Sequence, residues 1–204
     1  MKVAIVTLDS DIGAAIALVH LARGDTVQGT SRKDERLGPD IRFMELSDRS
    51  TWRRLDQDVD RVYFTIALTD NKGVPMKEVM NINSVLPVKW LEYCLLPLRP
   101  GAKVVVLSSA FGSIELTASD RARVYRMSKA ALNIGVKCLS FARPDLHWCV
   151  MHPGLVQTKM ISTAPPFGTK PITPASAGHS CVDVIDKWTG KFEFLSYDGS
   201  ILPW

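Results

Sequence analysis

Residues 1–25 read MKVAIVTLDSDIGAAIALVHLARGD, and this stretch decides the fold. VAIVT (3–7) is a short apolar run of the kind used by parallel strands buried on both faces. AAIALVHLARGD (14–25) reads as a helix closed by Gly24. LDSDIG (8–13) joins them, so the chain opens as the first half of a strand–helix–strand unit.

The alternation continues to residue 204. Further strands are expected in DTVQGTSR (25–32), IRFMELSD (41–48), RVYFTIAL (61–68), AKVVVLSSAFGS (102–113), HWCVMHPGL (147–155) and KFEFLSYDGSILPW (191–204). Residues 76–99 read as one long helix with Pro87 inside it and Pro97 near its end. Residues 123–143 form an amphipathic helix and 176–188 a final one. Such alternation implies right-handed crossovers and an α/β fold. The expectation is one Rossmann-like domain over 1–204, a doubly wound parallel sheet with helices on both faces. Ligands of such sheets bind beyond the carboxyl ends of the strands. LDSDIG, TSRK, SDRS, TIAL, SSAFGS and HPGLVQT are therefore the stretches to follow.

Composition sets the outer limits. Hydrophobic residues make up 46% and charged residues 23%, as in ordinary globular proteins. The net charge is +4, with the cations scattered, which disfavours nucleic acid as a partner. No apolar run is long enough for a membrane span, and no leader is recognisable at the start. Cys94, Cys138, Cys149 and Cys181 form no CxxC pair and no zinc spacing, so buried thiols are expected. A cytoplasmic protein is the expectation.

VYRMSKAALN places Tyr125 and Lys129 four residues apart, on one face of a helix. A lysine cation favours phenolate and lowers the tyrosine pKa. A tyrosine so tuned can protonate a carbonyl oxygen or deprotonate an alcohol near neutral pH. Ser108 and Ser109 stand at the end of a buried strand, where a hydroxyl can orient the same carbonyl. Asn83 lies inside a helix, where asparagine is a poor former.

With these residues the chain resembles the short-chain dehydrogenase/reductase family. It is most similar to the small carbonyl-reductase branch with C-factor and sniffer-like proteins. YRMSKAALN, LSSAFGSI, HPGLVQTKM and the terminal YDGSILPW carry the resemblance, in order along the whole chain. It implies Tyr125 as general acid/base and Lys129 as the group that tunes it and holds the nicotinamide ribose. It implies Ser109, in preference to Ser108, as the residue orienting the carbonyl. Asn83, with Asn81 as the fallback, would anchor a water in a proton relay. Thr7, Asp11, Ile12 and Gly13 would line the pyrophosphate, Ala67 the adenosine side, and Asp48 would meet the adenine. Pro153, Gly154 and Thr158 would lie along the nicotinamide. A homodimer or homotetramer is implied as well.

The end of the second strand chooses between cofactors. An acid there binds the ribose 2′-hydroxyl of NAD, whereas a cation accommodates the NADP phosphate. Here Ser31 takes the acid's place and Arg32 and Lys33 follow, so NADP(H) is expected over NAD(H).

Three departures from the family pattern shape the remaining expectations. The pattern TGxxxGxG is reduced to Gly13, with Thr7 and Asp11 at the other glycine positions. Thr7 is β-branched and disfavours positive φ. Asp11 brings a negative charge toward the pyrophosphate, unless it turns away or caps the helix. NNAG becomes Phe64, Thr65, Ile66 and Ala67, whose bulk would keep the packing and reshape the cofactor channel. The segment between Thr158 and Pro174, stiffened by Pro165, Pro166 and Pro171, is too short for a large lid, so an open or partner-completed site is expected. The leading expectation is reduction of a small-molecule ketone or aldehyde. If the altered loop has lost the cofactor, the same tyrosine would serve a cyclisation, dehydration or isomerisation without redox change. A binding or signalling role ranks third.

Overall fold

The computed structural model describes residues 1–32, 40–68, 73–158 and 170–204. Seven strands form one parallel sheet in the order β3-β2-β1-β4-β5-β6-β7. They are β1 (Lys2–Val6), β2 (Thr26–Ser31), β3 (Ile41–Phe43), β4 (Arg61–Phe64), β5 (Lys103–Leu107), β6 (His147–His152) and β7 (Glu193–Ser196). The order reverses direction beside β1, which makes the crevice beyond β1 and β4 the expected ligand position.

Alternate residues of each strand face opposite layers, and both layers are apolar. Ala4, Val6, Val62, Phe64, Val104, Val106, Val150 and Phe194 pack on one side. That side is closed by α3 (Leu86–Cys94) and α4 (Arg123–Ala142), through Trp90, Leu91, Leu132 and Val136. Val3, Ile5, Tyr63, Val105, Leu107, Cys149, Met151 and Leu195 pack on the other. Helices α1 (Asp11–Ala22) and α5 (Pro174–Lys187) cover it with Ile16, Val19, Val182 and Ile185. Burial on both faces is why these strands read as continuous Val, Ile and Leu runs.

Several elements differ from the sequence expectation. The long helix over 76–99 is interrupted. Helix α2 (Met76–Met80) leads into a π-helical turn, Asn81–Val85, before α3 begins. Pro87 falls in the first turn of α3, where its missing N–H costs nothing. Strand β5 stops at Leu107, and Ala110–Gly112 forms a 3₁₀ turn. Strand β7 stops at Ser196, and Ile201 turns back to pair antiparallel with Leu195. Trp204 then stacks on Phe192 and Phe194 at 5.4 Å. Cys94, Cys149 and Cys181 are buried as expected, but Cys138 is exposed on α4.

Candidate active site

All seven strands run the same way, so their carboxyl ends deliver the loops at issue to one edge of the sheet. The loop after β1 is the first. Thr7 adopts φ 64°, the left-handed conformation that a glycine normally supplies. Such backbone costs a β-branched residue about 1–3 kcal/mol and persists only where the surroundings fix it. Here the fixing groups are visible. The Thr7 N–H donates to Thr30 Oγ1 at 3.0 Å, and Thr7 O accepts from the Ser10 N–H at 3.0 Å. Thr7 Oγ1 lies 2.6 Å from Val6 O and 2.8 Å from Thr65 Oγ1. Thr65, from the strand end beyond β4, also reaches Val6 O and Ser10 Oγ. The turn is therefore made, by side-chain hydroxyls instead of a permissive residue.

Ser10 caps α1, accepting from the Gly13 N–H at 3.0 Å. Capping, one of the roles left open for Asp11, belongs to Ser10 instead, and Asp11 is the first residue of the helix. There its charge complements the helix dipole, while facing whatever anion the N-terminus would hold. Gly13 is required by proximity. A Cβ there would lie 2.5 Å from Thr7 O and 2.7 Å from Ser10 Oγ. Ile12 is half-buried behind it.

At the end of β2, Ser31 is buried and Arg32 is exposed. Arg32 is paired with Asp9: its N–H and Nε donate to the Asp9 carboxylate at 3.2 and 3.0 Å. Lys33 lies outside the described residues. Asp48 is exposed and accepts from the Ser50 N–H and hydroxyl, which hold its carboxyl below the usual range. Phe64 and Ile66 are buried in the layer under α3, and Ala67 is half-buried.

The second cluster joins β4, the π turn, α4 and β5. Asn83 is fully buried. Its Oδ1 accepts from the Leu68 N–H, and its Nδ2 donates to Leu68 O, both at 2.7 Å. Nδ2 also donates to Ser128 Oγ, whose hydroxyl donates to Tyr125 O. Thus Asn83 ties the loop after β4 to the tyrosine helix, and the π turn swings it inward to do so. π turns recur at functional sites. Asn81 begins the same turn and is half-buried.

Ser108 is buried, and its hydroxyl donates to Asn133 Oδ1 at 2.7 Å. Ser109 is half-buried, and its Oγ accepts from the Phe111 N–H, which leaves its own hydrogen to donate elsewhere. Tyr125 is half-buried, with Phe111 edge-on at 6.3 Å between centroids. Lys129 has no exposed surface. Its Nζ sits 5.9 Å from the Tyr125 ring centroid and donates a long 3.4 Å bond to Leu107 O. Among the described residues no carboxylate pairs with it, and burial pushes its pKa down to about 7.

After β6, Pro153 is buried and Gly154 has φ 90°. Thr158 is half-buried. Val156 pairs with Ile172, which joins the two ends of the following segment. The expectation of a short, open lid falls on residues 159–169, outside those described. His152 escaped notice in the sequence. Its Nδ1 is buried without a hydrogen-bond partner, its ring meets Tyr197 edge-on, and burial pushes its pKa down to about 4. Thr65 and Asp9, beyond strand ends, and Ser128 and Asn133, within α4, were missed too, because polar residues there are ordinary and only their partners give them a role. No three His, Cys, Asp or Glu side chains converge as a metal site requires among the described residues. Nor is any described helix long and apolar enough to cross a membrane.

The doubly wound sheet with an amine and a tyrosine at its carboxyl edge defines a class, the dinucleotide-type α/β oxidoreductases. No family model matches the chain. The C-signal protein of Myxococcus xanthus is 35% identical over 144 residues, 68% of this chain and 84% of that protein. An uncharacterised oxidoreductase of Saccharomyces cerevisiae is 34% identical over 58% of this chain and 52% of its own length. Among solved structures, a short-chain dehydrogenase/reductase from Burkholderia multivorans with bound NADP superposes with TM-score 0.84 at 22% identity, covering 100% and 99% of the two chains. The carbonyl reductase Sniffer of D. melanogaster does so with TM-score 0.83 at 20% identity and the same coverage. The chain belongs to the short-chain dehydrogenase/reductase family.

Proposed function

We propose that the chain, acting as one domain, reduces a small-molecule ketone or aldehyde, or oxidises the corresponding alcohol, using NADP(H). The observation that carries this reading is the fully buried Lys129 amine 5.9 Å from the Tyr125 ring; Ser109 stands just after the end of β5. A buried amine without a counter-ion is costly to a fold, and such sites concentrate where chemistry needs them. Relatives named as oxidoreductases and a structural neighbour with bound NADP support the same reading.

The residues fit a dinucleotide. The N-terminus of α1, beside the Thr7 turn, is a helix end of the kind that holds a pyrophosphate, although the Thr7, Leu8, Ser10 and Gly13 N–H groups are bonded within the protein. Among the described residues Lys129 Nζ makes one long bond, to Leu107 O, so its other donors would serve ribose hydroxyls once the buried amine is reached. When bound, the nicotinamide supplies the hydride. Ser109 donates a hydrogen bond to the substrate oxygen and orients it. Tyr125 gives that oxygen its proton, or takes one in the reverse direction. Protonated Lys129 stabilises the phenolate left behind. Asn83 holds Leu68 and α4 in register with both Nδ2 hydrogens and one Oδ1 lone pair, and its main chain would anchor a relay water.

One observation favours the second reading, proton transfer without redox change. Asp11, the first residue of α1, sets a carboxylate where a pyrophosphate would approach. Two measurements separate the readings: titration of the protein with NADP⁺ and NADPH, and absorbance at 340 nm with a panel of carbonyl compounds. Turnover lost in Tyr125→Phe with cofactor binding intact supports the reductase. Unaltered turnover in that variant defeats the mechanism, and absence of cofactor binding defeats the redox reading.

A further inference from the structure

We propose that Asp9 decides cofactor choice, and that its pairing with Arg32 lets the chain accept NAD(H) as well as NADP(H). This rests on the reading of the site as a dinucleotide site. The end of β2 is where a carboxylate selects the 2′-hydroxyl and a cation selects the 2′-phosphate. In this chain β2 itself ends in Ser31 and Arg32, which on their own would select the phosphate. The structure adds an acid from another element. Asp9, in the loop after β1, places its carboxylate 3.2 Å from the Arg32 backbone nitrogen, directly after β2. The missing acid is thereby restored at the strand end, carried by the neighbouring loop.

The pair is asymmetric. The Asp9 side chain is 5% exposed, while that of Arg32 is 48% exposed. A carboxylate so sheltered is screened little by salt or water. It engages the Arg32 Nε, and with nearly half of the Arg32 side chain exposed the terminal nitrogens remain for a ligand. A 2′-phosphate docking on those nitrogens gains the guanidinium and meets the Asp9 charge just behind it. A 2′-hydroxyl carries no charge, so it gains little from the guanidinium and is not repelled by Asp9. The two effects oppose each other for NADP(H) and leave NAD(H) largely untouched, so the ratio of affinities is held small.

The test is equilibrium binding of NADP⁺ and NAD⁺ to wild type, Asp9→Asn, Asp9→Ser and Arg32→Ala, by calorimetry or quenching of tryptophan fluorescence, with thermal unfolding as a folding check. Wild type should bind the two nucleotides within about tenfold of each other. Asp9→Asn should raise the preference for NADP⁺ about tenfold, or about 1.4 kcal/mol, by tightening NADP⁺. Asp9→Ser should do the same, and it replaces Asp9→Asn if that variant misfolds. Arg32→Ala should shift the preference toward NAD⁺. If both Asp9 variants leave the ratio within twofold of wild type, or weaken both nucleotides alike, the proposal is overturned while the dinucleotide reading stands. If wild type binds neither nucleotide, the dinucleotide reading itself fails and this inference goes with it.

Discussion

The two halves of the carboxyl edge are built on opposite plans. Around β1 and β2 the family's residue types have been replaced, yet the backbone shape survives. Around β5 and α4 the residue types are intact, although those after β4 are not, and the side chains are wired to one another. In the first half the strain is in the backbone, at Thr7 with φ 64°, and the hydroxyls of Thr30 and Thr65 hold it. In the second half it is electrostatic, in a buried Lys129 amine that no carboxylate pairs among the described residues. A turn can be made by any residues that fix the same dihedrals. Acid–base chemistry has no such freedom, because the proton must sit on a group of the right pKa.

The comparison can be broken hardest at Tyr125. General acid–base catalysis contributes about 10²–10⁴-fold, so Tyr125→Phe should lose that much kcat while the dissociation constant for cofactor barely moves. A large change in binding with kcat preserved would mean that the tyrosine merely shapes the pocket.

Lys129 tests the electrostatic half. Its folded pKa is about 7 against 10.5 for the free group, so between those values the unfolded chain holds the extra proton and stability rises with pH. Lys129→Met should abolish activity and stabilise the cofactor-free protein most near pH 6–7. That advantage should shrink by about 1.4 kcal/mol per pH unit toward pH 10. Urea unfolding at several pH values reads it, and a pH-independent difference would show that burial does not depress this amine.

Asn83→Ala leaves the Leu68 N–H and carbonyl without their partner and should cost about 2–4 kcal/mol by urea unfolding. A loss under 1 kcal/mol would mean that the chain from Leu68 through Asn83 to Ser128 and Tyr125 carries little.

The smallest effect belongs to the first half. Thr65→Val keeps the shape of the residue and removes the hydroxyl that braces Thr7. About 1–2 kcal/mol of stability should go, together with several-fold of cofactor affinity. Unchanged affinity would separate the turn from the pyrophosphate.

Much of this was legible before any coordinates. Apolar runs with no polar face announced the parallel sheet, and YRMSKAALN announced the tyrosine and lysine. The choice of Ser109 over Ser108 came from resemblance and stays part of the proposal; the Ser108 hydroxyl donates to Asn133 Oδ1. Other points were not legible. The break in the helix at Asn81–Val85 has no glycine or proline at its start to announce it. Asp11 looked like the cap because aspartate often is one, and only the geometry shows that Ser10, one residue earlier, accepts the bond.

The sequence by itself determined the fold class, the order of the elements and the residues able to do acid–base chemistry. These depend on local periodicity and on side-chain type, which a chain carries wherever it folds. Tertiary structure alone decided that Thr7 makes its turn and that Asp9 reaches Arg32. Each of these is a contact between distant parts of the chain, 23 residues apart from Thr7 to Thr30 and 58 from Thr7 to Thr65. A hydroxyl or a carboxylate states what it can bond to; which partner it meets is settled only when the strands lie side by side.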